Sequence, residues 1–224
     1  GRRRPVSEQM TPLPVLRIPG PSRAPLSDQS RAAAKRLMDR YPDPRSALLP
    51  ILYLIQAEHG YVSREGIREV AGLLGLSPAE VTAVATFYTM FKREPAGRWI
   101  VSVCTQPPCA LRGANQIREA LENELGITCG QTTEDGLVSI EDVECLCVCD
   151  GAPVVGINYE NYEGLNAEQV LEIVRGLRAG QGPPPPKRGE APKPWDEAHR
   201  ELSGLNGVGD GGSGASRLGP RSDR

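Results

Sequence analysis

Aromatic residues are scarce: two Phe, two Trp and six Tyr make up 4% of the 224 residues. With 25 glycines and 21 prolines beside them, the composition excludes a core running the whole length of the chain, although 39% hydrophobic residues suffice for one or two domains. No run of eighteen apolar residues occurs, so no membrane-spanning helix is expected. A formal charge of −2 gives no support to a polyanion-binding surface. No secretory signal is visible, and the six cysteines are therefore read for metal or redox chemistry in a reducing compartment rather than for a disulfide framework.

Residues 1–25 are rich in Arg and Pro, with Glu8 as the one acid. Pro12, Pro14, Pro19, Pro21 and Pro25 would break the amphipathic helix of an organelle transit peptide, so residues 1–27 read as a disordered bacterial extension. Four helices are expected between residues 28 and 96. The first covers 28–40 and stops before Pro42, and the second covers 45–58 and stops at Gly60. A third starts from Ser63 as N-cap and ends at Gly75. The fourth has the clearest start, because Ser77-Pro78-Ala79-Glu80 combines an N-cap, a proline at the first helical position and a capping-box glutamate. Val81, Val84, Ala85, Tyr88 and Phe91 then line one face.

After Pro95-Ala96-Gly97 the periodicity changes to that of a strand, with Trp99, Val101 and Val103 alternating against Arg98, Ile100 and Ser102. A helix marked by Ala114, Ile117, Leu121 and Leu125 follows, then an Asp135-Gly136 turn, strands at 137–143 and 153–157, and a helix at 166–177. This order implies a small thioredoxin-like α/β sandwich over 97–180 with cysteine loops at one end. Beyond Gly180 the Pro183-Pro184-Pro185-Pro186 run and the Gly- and Ser-rich end predict a tail, 181–224, in which order fades, with 194–202 as a segment for docking on a partner.

Four residues separate Cys104 from Cys109, three separate Cys145 from Cys149, and 35 lie between the pairs. A 2Fe-2S cluster takes two thiolates per iron, and two close-set pairs on separate loops match that division. Structural zinc is the first competing reading, disfavoured against the cluster because its knuckles are usually shorter, and a disulfide framework is the third. Spacing does not choose among Cys145, Cys147 and Cys149, although in an extended segment Cys147 would face away from the other two. Cys129 and Cys147 read as small buried thiols. His59 and His199 lack spacing to the cysteines, which argues against a Rieske-type site and leaves them as surface or helix-end residues.

The residues around the cysteines resemble those of the small 2Fe-2S subunit of the NADH-dehydrogenase module of respiratory complex I, the NuoE family. The resemblance runs from Ala47 to Gly180. It rests on the stretch from Val84 to Phe91, on Val103-Cys104 through Gly113, on Thr132 to Leu137, and on Val143-Glu144-Cys145-Leu146-Cys147-Val148-Cys149 with Ala152-Pro153. It implies that Cys104, Cys109, Cys145 and Cys149 ligate a 2Fe-2S cluster, and that a helical bundle precedes a thioredoxin-like domain. The chain departs from the family at Cys147, where a small non-cysteine residue is usual. FMN and NADH are implied on a larger partner subunit, alongside other peripheral-arm subunits, with the complex at the cytoplasmic face of a bacterial inner membrane (the matrix side in a eukaryote). The chain would be part of an enzyme, NADH:quinone oxidoreductase, with no catalytic residue of its own.

Related modules of NAD-linked hydrogenases and formate dehydrogenases use similar subunits and form the alternative, with a zinc-bound adaptor as the reading from another class. The string Gly207-Val208-Gly209-Asp210-Gly211-Gly212 fits G-x-G-x-x-G but lacks a preceding strand and a following helix. A helix-turn-helix reading of 63–91 fails on chemistry, since the would-be recognition helix has no basic residue before Lys92.

Overall fold

A computed structural model describes residues 26–205. The extension at 1–25 and the Gly207–Gly212 string lie outside the described residues.

The N-terminal half is a helical unit around one central helix. Helix α1 (Asp28–Met38) is capped by Ser27, whose hydroxyl accepts from the Ser30 N–H, with Asp28 in its first turn and Lys35 and Arg36 in its last, so both helix ends meet a favourable charge. A 3-10 turn at Pro44–Ala47 leads into α2 (Leu48–His59), which buries Leu48, Ile51, Leu52, Leu54, Ile55 and Gln56 on every side, as a helix inside a bundle must. Helix α3 (Arg64–Leu74) starts from Ser63, and its Gly66 leaves room for Ile55 of α2, which would lie 2.9 Å from an added Cβ. Helix α4 (Pro78–Phe87) has the expected capping box but ends earlier than its apolar pattern implies. Tyr88 is extended, and Phe91 enters the core from the loop rather than from the helix. Val81 and Ala85 pack among Ile67, Val70 and Leu52, so the inner face of the helix is core.

The C-terminal half holds a sheet of β1 (Trp99–Cys104), β2 (Val138–Val143), β3 (Val154–Ile157) and β4 (Glu160–Glu163) in the order β2-β1-β3-β4. Strand β1 runs parallel to β2 and antiparallel to β3. Helices α6 (Ala114–Leu125) and α7 (Ala167–Arg178) cover one face, where Ile117, Leu121, Val170 and Val174 meet Val101, Val103 and Ile140. Strand β4 has no alternating apolar pattern and escapes a periodicity search, since its core residue is Tyr162 alone. The alternation expected along β1 also breaks down. Ile100 is only 3% exposed, because the second face of the sheet is turned toward the helical unit. There, Lys92 Nζ meets Glu141 at 2.5 Å and Ser102 Oγ donates to the same carboxylate at 2.8 Å.

The predicted fading of order from Gly180 does not hold for residues 181–205. This segment crosses β4, where Tyr162 donates to the Pro184 carbonyl, and ends in α8 (Trp195–Leu202), which packs on α2 of the same chain rather than waiting for a partner. The reason is a small amphipathic stripe, Trp195, Ala198 and His199, that composition alone hides among prolines. The Trp195 N–H donates to Arg98 O, its indole N–H donates to Gly60 O, and Asn158 bridges Arg98 O and Lys193 O, so the segment ties both halves together.

Both histidines lie in the last turn of a helix, as one of the two expected readings has it, but they are buried rather than on the surface, with His199 at 0% and His59 at 7% exposure. Nδ1–H of His199 donates to Trp195 O, so Nε2 is the acceptor for the Gln56 amide and the Tyr159 hydroxyl, both at 2.8 Å. Gln56 is fully used, since its amide also donates to Met90 O and its oxygen accepts from the Lys92 N–H. Protonation of His199 would place a third proton against these donors in a buried site. Burial, the main cause, lowers its pKa from 6.5 to about 4.

This burial makes stability depend on pH. Above pH 6.5 His199 is neutral in both folded and unfolded chains, and between 6.5 and about 4 only the unfolded chain takes up the proton. Its contribution to stability is therefore complete above pH 6.5, is lost as the pH falls, and levels off below about 4. The loss reaches about 3 kcal/mol in urea unfolding, and a His199→Gln variant flattens that part of the profile. At Gly97 an added Cβ would lie 2.7 Å from the Ser139 backbone nitrogen, a close approach only glycine permits. Gly97→Ala is expected to lower stability by about 1–3 kcal/mol in the same assay.

Candidate metal centre

The parallel pairing of β1 and β2 decides where the cysteines meet. Cys104 is paired with Val143, so both strands leave the sheet at the same edge, and Cys145 follows two residues later. Beyond Cys104 the chain does not pass Cys109 on a loop. It forms the short helix α5 (Pro107–Leu111), started by Pro107 and Pro108, which turns Cys109 inward. Cys104 and Cys109 are each 2% exposed, and their thiols share a hydrogen bond. Cys109 also takes an N–H bond from Val154 at the start of β3, just after the cis Ala152–Pro153 bond. The helix end leaves Arg112 exposed.

Cys145 and Cys149 are exposed and sit on the loop after β2, their sulfurs 3.7 Å apart, with Cys149 opening a 3-10 turn at Cys149–Gly151. Cys147, between them, adopts a left-handed backbone (φ 61°), a conformation costly for a side-chain-bearing residue. That turn aims its N–H at Cys145 Sγ, 3.3 Å away. It also explains why a small residue suits the position, a preference the alternation of the triplet did not reveal. Contrary to the expectation of a buried thiol, Cys147 is exposed.

The electrostatics separate the thiols. Burial, together with the bond to Cys104, pushes Cys109 up to about 11. Cys145 is lowered, first by the Cys147 N–H and then by the Cys149 thiol, while Cys147 and Cys149 are raised as its proton donors. Charge on Cys104 is felt at Cys149, and charge on Cys149 at Cys109, so the two pairs face one another. Cys129 stands apart. Half-buried, it donates to Asp142 at 3.4 Å and is pushed up to about 12, chiefly by burial.

Among the described residues no three His, Cys, Asp or Glu side chains converge on a single point suited to one metal ion. Two facing thiol pairs fit a core of two metals, each taking one pair, better than one tetrahedral ion needing all four together. The donor set, four free sulfurs with the buried pair shielded from water, is chemically suited to a 2Fe-2S cluster. In protein with free thiols, iodoacetamide at neutral pH should modify Cys145, Cys147 and Cys149 well before Cys104 and Cys109, read by peptide mass spectrometry. Modification of Cys109 as fast as Cys145 would contradict the burial described.

Curated relatives are named as subunits of NADH-quinone oxidoreductase. The one from Mycobacterium tuberculosis is 43% identical over 189 residues, covering 83% of this chain and 75% of its own length. The one from Thermus thermophilus is 39% identical over 145 residues, covering 63% and 80%. A third, from Rhizobium meliloti, is 39% identical over 142 residues, covering 63% and 84%. Among solved structures, an air-oxidized NAD+-reducing NiFe hydrogenase superposes with a TM-score of 0.54 at 22% identity, over 59% of this chain and 23% of that one, a likeness of fold. The family description thioredoxin-like 2Fe-2S ferredoxin matches residues 34–178, and with the relatives at 39–43% identity it establishes that the chain belongs to that family.

Proposed function

We propose that the chain binds a 2Fe-2S cluster through Cys104, Cys109, Cys145 and Cys149 and carries electrons within the NADH-oxidising module of an NADH:quinone oxidoreductase. The observation that carries this reading is the meeting of two thiol pairs at the one sheet edge where β1 and β2 end together. Bound there, the cluster supplies reversible one-electron storage. The residues of the chain bind and tune. Cys104 and Cys109 hold the buried side and exclude water, and Cys145 and Cys149 close the solvent side. The Cys147 N–H stabilises negative charge on the Cys145 sulfur.

Neither hydride chemistry nor an acid or base is asked of this chain. NADH and FMN belong to a partner subunit, and the relatives named as subunits of NADH-quinone oxidoreductase support that division of labour. The chain then acts in an enzyme without being catalytic alone. It comprises a helical unit at 28–96 and a ferredoxin unit at 97–180, joined by the segment that follows. No single helix among the described residues is long and apolar enough to cross a membrane. The relatives named as subunits of NADH-quinone oxidoreductase are the support for a peripheral position at the cytoplasmic face. An apolar inner face on α4 and the absence of basic residues along that helix leave nucleic-acid binding without support.

Iron and acid-labile sulfide counts, with an EPR spectrum of dithionite-reduced protein, test this. Two irons and two sulfides per chain are expected, lost in Cys104→Ala or Cys149→Ala and retained in Cys147→Ala. Retention in the first two with loss in the third would overturn the ligand assignment.

A further inference from the structure

Arg188 lies ten residues beyond the 34–178 segment that matches the family, in the strap between α7 and α8. Its guanidinium grips Glu163 of β4 with two parallel bonds, Nε to Oε1 at 2.7 Å and Nη2 to Oε2 at 2.6 Å. The same Nη2 reaches Asp150 Oδ2 at 2.9 Å. Asp150 follows Cys149 directly, inside the 3-10 turn Cys149–Gly151. The Glu163 carboxylate packs on Gly151 of that turn so closely that any Cβ at Gly151 would collide with it. Gly164 completes the attachment by donating its N–H to Gly151 O at 2.8 Å and Pro153 O at 2.9 Å.

The pairs differ in worth. Asp150 is 73% exposed and Arg188 57%, so an isolated contact between them would be largely screened by solvent. Glu163, by contrast, has a side chain only 5% exposed and is held in the fork geometry that makes arginine–carboxylate pairs strong and directional. Lys could supply the charge but not the fork. One guanidinium thus offsets two carboxylates beside the turn that presents Cys149, and removing it would leave both uncompensated there.

We infer that Arg188 is a positioning residue for the metal centre: it fixes the Cys149 turn through Glu163 and Asp150, and its charge raises the reduction potential of the cluster. The inference rests on the ligand assignment proposed above. Adding an electron to an anionic thiolate site is opposed by nearby negative charge, so loss of Arg188 makes reduction harder. The effect travels partly through solvent and therefore weakens as salt is raised.

The test is an EPR-monitored redox titration of the full-length, cluster-loaded chain at low and high salt, with iron release to a chelator followed in parallel. Arg188→Ala is expected to have a more negative midpoint potential than wild type, the difference shrinking at high salt, and to release iron several-fold faster. Arg188→Lys should keep most of the potential while releasing iron faster than wild type, because charge is retained and the fork is lost. Should Arg188→Ala not fold, Glu163→Gln serves, with a potential shifted the opposite way. Wild-type potential and iron release in Arg188→Ala, or equal shifts in potential for the Ala and Lys variants, would overturn the inference. A wild-type chain that holds no iron and sulfide would overturn the ligand assignment itself, an outcome distinct from an indifferent Arg188.

Discussion

The flush parallel register of β1 against β2 is the constraint on which the rest of the structure depends. Cys104 stands opposite Val143, and the Thr105 N–H still reaches Val143 O just past the strand ends, so two loops far apart in sequence begin side by side. A slip of two residues would preserve the inside-outside alternation yet carry one cysteine pair about 7 Å along the sheet from the other. The register is pinned at the opposite end. Asp135 accepts from Thr133 Oγ1 and the Leu137 N–H to close the turn before β2, while Gly136 O and Leu137 O take the first N–H groups of the β1 segment. Ser139 Oγ accepts from the Gly97 N–H, which brings the two backbones to the closest approach that a residue without a side chain allows. Turn chemistry remote from the sulfurs thus sets their meeting point.

The helical unit and the sheet are held as one body by groups that would be costly to leave unpaired. Gln56, fully buried in α2, satisfies Met90 O, the Lys92 N–H and His199 together, and His199 in turn takes the hydroxyl of Tyr159 from the sheet side. Trp195 lies edge-on to His199 with ring centroids 4.0 Å apart and stacks on Tyr159 at 5.6 Å. Few aromatic residues are present, and several of them are concentrated at this junction. The strap from 181 to 205 therefore does two jobs along its length, closing the junction through α8 and reaching the Cys149 turn through Arg188.

Much of this was legible in the sequence where local chemistry and tertiary structure agree. Ser63 and Gly75 bound α3, Ser77 and Glu80 open α4, and Gly97 marks the change from helix to sheet, because caps and tight approaches are decided by one or two residues. The grouping of the cysteines into two neighbourhoods, Cys104 with Cys109 and Cys145 with Cys149, was legible from spacing too, while the proposal that Cys149 rather than Cys147 is a ligand rests on the family resemblance. Harder to read were features set by distant partners. The residues of β4 carry one apolar core side chain, α8 hides behind a polyproline run, and α4 stops at Phe87 because Tyr88 turns extended while Phe91 is drawn into the core. His199 is a helix-end residue as expected, but its burial is not readable until Gln56, 143 positions away, is brought against it. The left-handed turn at Cys147 and the inward rotation of Cys109 on α5 likewise depend on the loops being closed.

The central claim is that four sulfurs from two strand ends hold a pair of irons. The iron K-edge X-ray absorption of anaerobically purified protein addresses it directly. The account predicts an all-sulfur first shell around every iron with a second iron as nearest metal neighbour. A shell containing nitrogen or oxygen ligands, or a spectrum found at the zinc edge with no iron, would contradict it.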